Sequence, residues 1–192
     1  YDRLFTRQKC TIGQVLLTHD DLEHRRRHLN ARNTMLKLLE HGIIPIVNEN
    51  DVVSVDEIKF GDNDALASRS AMLVEADLLV LLTTVNGFHA PDAKGRSRRV
   101  PYLADVTADT LSHTQGKGSI FSTGGMASKL TSAAEAARMG TAVVIANGRK
   151  DDILQQVVAG ANVGTLIPPA PAPTANGGLN LRRRWVAFFH HA

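Results

Sequence analysis

The sequence predicts an α/β protein built around a mainly parallel sheet. Three apolar segments, residues 43–47, 77–83 and 141–146, lack polar alternation, which is typical of strands covered on both faces. Segments with helical periodicity separate them, and this alternation predicts helices packed on the sheet in layers. At 192 residues the chain has room for about one domain of ordinary size.

Local signals predict the elements that precede the first of these strands. The first eight residues are typical of the end of an amphipathic helix, and residues 11–17 predict a strand. Polar residues 18–21 then favour a helix start, so a single helix is expected over residues 20–41. Gly42 follows at the position where glycine commonly ends a helix.

The pattern after residue 47 is less regular. Residues 52–60 alternate loosely and predict a small hairpin, and residues 61–76 predict a helix. Residues 84–119 are polar and contain glycines and two prolines, which predicts an irregular excursion with one short helix near 107–111. The remaining predicted elements are helices over 126–138 and 151–158 and a short strand over 164–167.

The folded domain is expected to end near residue 167. Four of the seven prolines lie in residues 168–173 and glycines follow, a composition typical of an extended linker. We therefore predict one domain at residues 1–167 and a linker with a basic tail at 168–192. The sequence R-R-R-W at 182–185 could bind nucleic acid, although a solvated tail is the favoured interpretation.

Composition argues against several classes of protein. Hydrophobic residues make up 43% and charged residues 21%, as in ordinary globular proteins, and no apolar run approaches the ~18 residues of a membrane span. Basic and acidic residues number 22 and 19, which is too balanced for a nucleic-acid footprint along the whole chain, so small anions are the expected partners. The single cysteine, Cys10, cannot close an intrachain disulfide, and a cytoplasmic location is expected.

Two polar clusters are candidate binding residues. Residues 48–51 (N-E-N-D) directly follow an apolar strand, at the edge where open parallel sheets bind ligands. Residues 62–64 (D-N-D) begin the next predicted helix and could face the same pocket. Their carboxylates and carboxamides suit an ammonium group, the donors of a polar metabolite, or lysines. Helix capping explains residues 62–64 equally well, whereas a strand does not need four polar residues to end.

A glycine pair with a lysine one turn later forms a candidate anion site. Gly124 and Gly125 precede a predicted helix, where free amides and the helix dipole favour an anion, and Lys129 adds a full positive charge. The spacing differs from the phosphate-binding loop G-x-x-x-x-G-K-[ST] and from the dinucleotide motif G-x-G-x-x-G. A glycine-rich loop beside a surface lysine is the simpler alternative.

His24 and His28 are four residues apart on a predicted helix, a spacing that zinc ligands often have. Three arginines lie between them and repel a cation. A solvated helix face is therefore the favoured interpretation, and no metal site within the protein is predicted.

Five sequence stretches around these clusters match one known family. They are L-N-A-R at 29–32, I-V-N-E-N-D at 46–51, E-I-K-F-G-D-N-D at 57–64, L-L-T at 81–83 and S-T-G-G-M at 122–126. In order and spacing they resemble the glutamate 5-kinases, a branch of the amino-acid kinase family, over residues 1–167. The pairing of N-E-N-D with G-D-N-D separates this branch from the aspartate, acetylglutamate and uridylate kinases. The resemblance implies a three-layer α/β/α sandwich with a mainly parallel sheet.

The resemblance also implies an activity. The reaction is transfer of the γ-phosphoryl group of ATP to the side-chain carboxylate of L-glutamate, giving L-glutamyl 5-phosphate in the first step of proline biosynthesis. Such transfer depends on positioning and charge stabilisation, with Mg²⁺ bridging the phosphates of ATP. A homo-oligomer is also implied, and proline could act as a feedback inhibitor.

Residue roles follow from the same resemblance. Asp64 matches the aspartate that holds the catalytic lysines in place, and Lys129 matches a lysine that neutralises charge on the transferring phosphoryl group. Asn48, Asp51 and Asn63 fall on glutamate-binding positions. The implied nucleotide-binding positions are Thr83, Thr84, Thr123, Gly124, Gly125, Met126, Ala127, Ser128 and Lys129.

Departures from the family pattern keep a second function open. The family's first strand, with its catalytic lysine, would lie upstream of Tyr1, so we expect a chain without the N-terminal part of the kinase domain and without the C-terminal RNA-binding-like (PUA) domain. Thr84 stands where the family usually has an aspartate. The alternative is a catalytically inactive regulatory module of the same fold that binds an amino acid or a nucleotide.

Overall fold

The structure, a computed structural model, describes residues 1–50, 63–114 and 123–170. The hairpin predicted at 52–60 and the basic tail lie outside the described residues. The described residues form two compact units, 1–74 and 75–170.

The described part of the first unit contains two parallel strands and four helices. The strands are β1 (Thr11–Leu17) and β2 (Ile43–Glu49), and the helices are α1 (Asp2–Arg7), α2 (His19–Glu23), α3 (Arg25–Glu40) and α4 (Asn63–Leu73). The two strands pair from Thr11 opposite Ile43 to Leu17 opposite Glu49. The predicted bounds of β1 are confirmed, and α2 and α3 form the long connection that two parallel strands require.

The single long helix predicted after β1 is wrong, because two helices meet at His24. Thr18 caps α2 in a reciprocal capping box with Asp21. The backbone of His24 is extended, and Nδ1 of His28 donates a hydrogen bond to the Leu22 carbonyl at 3.1 Å. This bond satisfies a carbonyl at the end of α2 that has no helical partner. Burial of the His28 ring lowers its pKa, which favours the neutral imidazole at this position.

The core of the first unit lies between the two strands and the helices. Its buried residues are Leu17, Leu22, Met35, Leu66 and Leu73. Val15 of β1 and Val47 of β2 pack against this cluster, whereas Ile44 is 36% exposed. The expectation that β2 is covered on both faces is therefore wrong for the described residues, since α3 and α4 contact it on the Val47 side.

In the residues that the structure describes, the second unit contains a mixed three-stranded sheet, a hairpin and three helices. The strands are β3 (Leu78–Thr83), β4 (His89–Pro91), β5 (Ser97–Arg99), β6 (Ala142–Asn147) and β7 (Thr165–Ile167), and the helices are α5 (Ala108–Ser112), α6 (Thr123–Arg138) and α7 (Ile153–Val158). β6 pairs with β3 in parallel and with β7 in antiparallel orientation. None of the helices in the described residues has the length and hydrophobicity that crossing a membrane requires.

The β4–β5 hairpin replaces part of the irregular excursion that was predicted. The carboxylate of Asp92 accepts hydrogen bonds from the amides of Lys94 and Arg96, each at 2.9 Å, and thereby fixes the turn. The short helix predicted near 107–111 is confirmed as α5, whose first turn is capped by Thr107. The excursion therefore contains more regular structure than its polar composition indicated.

β6 forms the centre of the second core. It is buried on both faces, as predicted, and its interior residues are Val143, Val144, Ile145 and Ala146. α6 packs against β6, and its buried residues are Leu130, Ser132 and the alanines Ala133, Ala134, Ala136 and Ala137. Because these alanines carry a single methyl group each, the helix can lie close to the sheet.

Candidate functional site

Asn48 lies near the carboxyl end of β2, beside an open concavity. Asn48 is exposed and lines this concavity of about 480 Å³ together with Gln14 and Ile46. The Asn50 amide donates to the Leu17 carbonyl at 2.9 Å, which holds the chain beside β1 just beyond the strand. The carboxamide of Asn48 is therefore held at the sheet edge with its polar group accessible.

Asn63 and Asp64 are the first two residues of α4. Asn63 is exposed and Asp64 is half-buried. A carboxylate in the first turn is stabilised by the helix dipole, so the position of Asp64 fits capping and also fits a charge held for catalysis. Asp51, the third residue expected to bind glutamate besides Asn48 and Asn63, lies outside the described residues.

The glycine pair lies inside a helix rather than before it. α6 begins at Thr123, which places Gly124 and Gly125 in the first turn, where backbone amides have no helical carbonyl partner. Among the described residues, no atom lies within 4 Å of a Cβ atom built on Gly125. The first turn contains no acidic residue, and Lys129 is half-buried one turn later. This arrangement favours an anion at the start of α6.

Thr83 and Thr84 mark the carboxyl end of β3. Thr83 is half-buried and lies opposite Asn147 of β6. Its carbonyl accepts a hydrogen bond from the Gly148 amide at 2.9 Å, and Thr84 is exposed. Both threonines therefore stand at the edge where α/β sheets bind ligands.

The predicted residues fall into two groups. Those expected to bind glutamate lie in the first unit, and those expected to bind the nucleotide, Thr83, Thr84 and residues 123–129, lie in the second. Each group is placed at a strand end or in the first two turns of a helix. The sequence analysis predicted binding residues both at strand ends and near the starts of helices.

The two histidines with zinc-like spacing contact backbone carbonyls. Nδ1 of His24 lies 3.3 Å from the Asp20 carbonyl, and Nδ1 of His28 bonds to that of Leu22. Within residues 1–50, 63–114 and 123–170, no group of three or more His, Cys, Asp or Glu side chains is arranged to hold a metal ion.

One polar pocket in the second unit was not predicted from the sequence. The pocket has a volume of about 150 Å³ and brings Arg99 together with Asn162, which is 63 residues away. These residues belong to no motif, because their proximity arises only when β5 folds beside the segment that precedes β7. The pocket is lined by three asparagines and two cations, which are Asn86, Asn147, Asn162, Arg99 and Lys150. These residues show no periodicity or regular spacing in the sequence.

Comparison with known families matches residues 1–147 to the amino acid kinase family. The chain belongs to this family. Among curated relatives of this amino acid kinase, the glutamate 5-kinase of Syntrophotalea carbinolica is 42% identical over 179 residues, which make up 92% of this chain and 47% of that protein. The glutamate 5-kinase of a Cyanothece species is 44% identical over 189 residues, 97% of this chain and 50% of that protein. The chain thus spans about half the length of the curated relatives it matches.

Solved structures of UMP kinases share the fold. The UMP kinase of Bacillus anthracis superposes with a TM-score of 0.56 over 88% of this chain and 62% of that protein, at 15% sequence identity. At this identity the likeness concerns the fold alone. The α/β fold class predicted from the sequence is confirmed.

Proposed function

We propose that this chain forms part of a glutamate 5-kinase. In the reaction, an oxygen of the L-glutamate side-chain carboxylate bonds to the γ-phosphorus of ATP. The bond from that phosphorus to the β,γ-bridging oxygen breaks, and ADP leaves with the electron pair. The observation that carries the proposal is the alignment of nearly the whole chain with glutamate 5-kinases at 42% and 44% identity.

L-Glutamate is proposed to bind at the end of β2 and the start of α4. The carboxylate of Asp51 would pair with the substrate ammonium group, and the carboxamides of Asn63 and Asn48 would donate to substrate oxygens. The exposure of Asn48 and Asn63 supports this assignment. Asp64 is proposed to hold the catalytic lysines in position, and its half-buried site in the first turn of α4 suits a fixed carboxylate.

ATP is proposed to bind through the end of β3 and the start of α6. Free amides of residues 123–126 would donate to phosphate oxygens, and Lys129 would neutralise charge on the transferring phosphoryl group. Thr83 and Thr84 complete the proposed nucleotide contacts. Mg²⁺ would arrive with ATP and bridge its phosphates, a mode in which the substrate supplies many of the ligands.

Three further properties are proposed from the family assignment. They are a cytoplasmic location, self-association and inhibition by proline. A test of the phosphoryl transfer itself is independent of all three.

The test uses a chimera in which this chain replaces the aligned half of the Cyanothece glutamate 5-kinase. ADP release is measured with ATP, Mg²⁺ and either L-glutamate or L-aspartate, and hydroxylamine is added to trap any acyl phosphate as a hydroxamate. We expect ADP release and hydroxamate in equal amounts with L-glutamate, and little of either with L-aspartate, which is one methylene shorter.

The unmodified relative serves as the control in the same preparation. Hydroxamate from the relative but none from the chimera would show that this chain does not support the reaction. If the chimera still bound L-glutamate and ATP, the result would favour the inactive regulatory module.

A further inference from the structure

Among the described residues, those that line the small polar pocket of the second unit include two cations and no carboxylate. Its polar lining comprises Asn86, Arg99, Asn147, Lys150 and Asn162. The acidic residues that follow Lys150 in the sequence are not part of the lining. A cavity lined by two cations and, among the described residues, by no carboxylate attracts an anion.

Arg99 is held in place by neutral groups. Its guanidinium donates to the Gly164 carbonyl, to Oδ1 of Asn162 at 2.9 Å and to the Asn162 carbonyl at 3.3 Å. These acceptors fix the direction of the side chain, but they carry no charge that could neutralise it. The half-buried guanidinium is thus a fixed cation at the wall of the pocket.

The three asparagines present donors rather than acceptors. Oδ1 of Asn147 accepts from the Arg149 amide at 2.9 Å, and Oδ1 of Asn162 accepts from Arg99. Oδ1 of Asn86 accepts from Nε2 of His89 at 2.6 Å. Since each carboxamide oxygen is engaged, the NH₂ group of each asparagine is the part that remains for a ligand, as far as the described residues show.

The size of the pocket limits what it can hold. A volume of about 150 Å³ is below the ~300 Å³ at which sites for drug-sized molecules begin. We propose that the pocket binds a phosphate group or a similar small oxyanion through Arg99, Lys150 and the three asparagine NH₂ groups. Asn147 lies opposite Thr83, which is one of the proposed nucleotide contacts. The phosphate in the pocket could therefore be either free phosphate or a phosphate group of a nucleotide. Only the second source rests on the proposed kinase function.

The test is a calorimetric titration of inorganic phosphate into the 192-residue chain at constant chloride. Arg99→Gln and Lys150→Gln are each expected to weaken phosphate binding by about tenfold, because each removes a charge-assisted hydrogen bond. The matched control is Arg96→Gln, which removes the same charge from a side chain that pairs with Asp92 at 3.1 Å and does not line the pocket. It should change the affinity by less than about twofold.

The Lys150→Gln variant tests the phosphate site without removing contacts that stabilise the fold. Lys150 is exposed, and its ammonium group forms no ion pair with a described residue, so its replacement should leave the thermal unfolding midpoint unchanged. Arg99→Gln removes contacts that could stabilise the fold. Weaker phosphate binding in Lys150→Gln therefore supports the site even if Arg99→Gln unfolds.

ADP titrations with and without saturating phosphate identify the source of the anion. If phosphate displaces ADP and Lys150→Gln weakens both ligands, a nucleotide phosphate occupies the pocket. If ADP binding is indifferent to phosphate and to Lys150→Gln while phosphate binding responds, the pocket holds a free oxyanion. The proposal is wrong if neither ligand responds to Arg99→Gln or Lys150→Gln, or if Arg96→Gln weakens binding equally. Failure of the hydroxamate assay would leave these titrations unaffected.

Discussion

The Thr165 hydroxyl accepts a hydrogen bond from the Phe88 amide at 2.8 Å. The same hydroxyl donates to the Val100 carbonyl at 2.6 Å, and Thr165 is completely buried. One side chain of β7 therefore satisfies backbone groups on both sides of the β4–β5 hairpin. Because neither strand of that hairpin is longer than three residues, this link stabilises a part of the fold that pairs weakly by itself.

Thr165→Val should lower the free energy of unfolding by about 1–3 kcal/mol, because it removes the partner of the buried Phe88 amide and of the part-buried Val100 carbonyl. Urea denaturation of the chain measures the change. Thr165→Ser keeps the hydroxyl and should retain most of the stability. Equal stability of the valine and wild-type chains would contradict the role assigned to the hydroxyl.

Gly164 and Gly160 form a matched pair for testing close packing. Their φ angles are +77° and +74°, so an alanine at either position has similar backbone strain, about 1–2 kcal/mol. A Cβ at Gly164 would overlap the Ile145 carbonyl oxygen, whereas at Gly160 it would meet no atom of the described residues within 4 Å. Gly164→Ala should therefore unfold at clearly lower urea concentration than Gly160→Ala. If the two variants had similar urea midpoints, the backbone at Gly164 would have shifted to make room for the added Cβ atom.

Asp92 should stabilise the hairpin in a pH-dependent way. The Arg96 amide, together with the Lys94 amide and the Arg98 and Arg96 side chains, lowers the pKa of its carboxyl group. A lowered pKa in the folded state stabilises the fold above the unfolded-state pKa of about 3.9, and the effect is lost as the pH falls through the folded-state pKa.

The test compares Asp92→Asn with the wild type by urea unfolding at several pH values. The asparagine variant should be less stable near neutral pH, and the two chains should converge in acid. A difference in stability that persists below the folded-state pKa would have another origin than the charge of Asp92.

Lys129→Ala in the chimera should reduce kcat by about 100-fold or more, since the lysine would stabilise charge that develops in the transition state. Lys37→Ala is the control, because Lys37 is exposed and pairs with Glu40 at 2.5 Å within α3. Steady-state ADP release with L-glutamate measures both. A normal kcat for Lys129→Ala would remove this residue from the mechanism.

Asp64 and Asp51 should separate catalysis from binding. Asp64→Ala should depress kcat more than it raises KM, because it would disturb the catalytic lysines, and Asp51→Ala should mainly raise KM for L-glutamate. The same chimera and assay apply. If both variants turn over normally, the roles carried over from the family are wrong.

Elements could be predicted from the sequence where a single local pattern determines their structure. The seven residues of β1 are apolar enough and bounded clearly enough that residues 11–17 were predicted without error. β6 is a continuous apolar run, and the structure covers it on both faces. The start of α6 was predicted three residues late, since a glycine pair lowers helix propensity although the first turn tolerates it.

Three features could not be predicted from local sequence patterns, because they depend on specific side-chain hydrogen bonds or on contacts between residues distant in sequence. No glycine or proline marks a break near His24. Only the bond from His28 to the Leu22 carbonyl shows why the helix breaks there. The β4–β5 hairpin has strands of only three residues each, and its turn depends on Asp92. The contact between Arg99 and Asn162 joins segments with no sequence relationship, so the pocket that they line could be found only in the structure.

The buried alanines of α6 lie in the core of the second unit, where that helix packs against β6 and β7. A single added methylene at Ala133 or Ala136, both completely buried, would raise the helix and with it the first turn that precedes Lys129. Substitutions in the hydrophobic interior could therefore change the affinity for a ligand at that turn, even when every side chain that faces the ligand is unchanged. Related sequences with identical site residues could on this basis differ in nucleotide affinity.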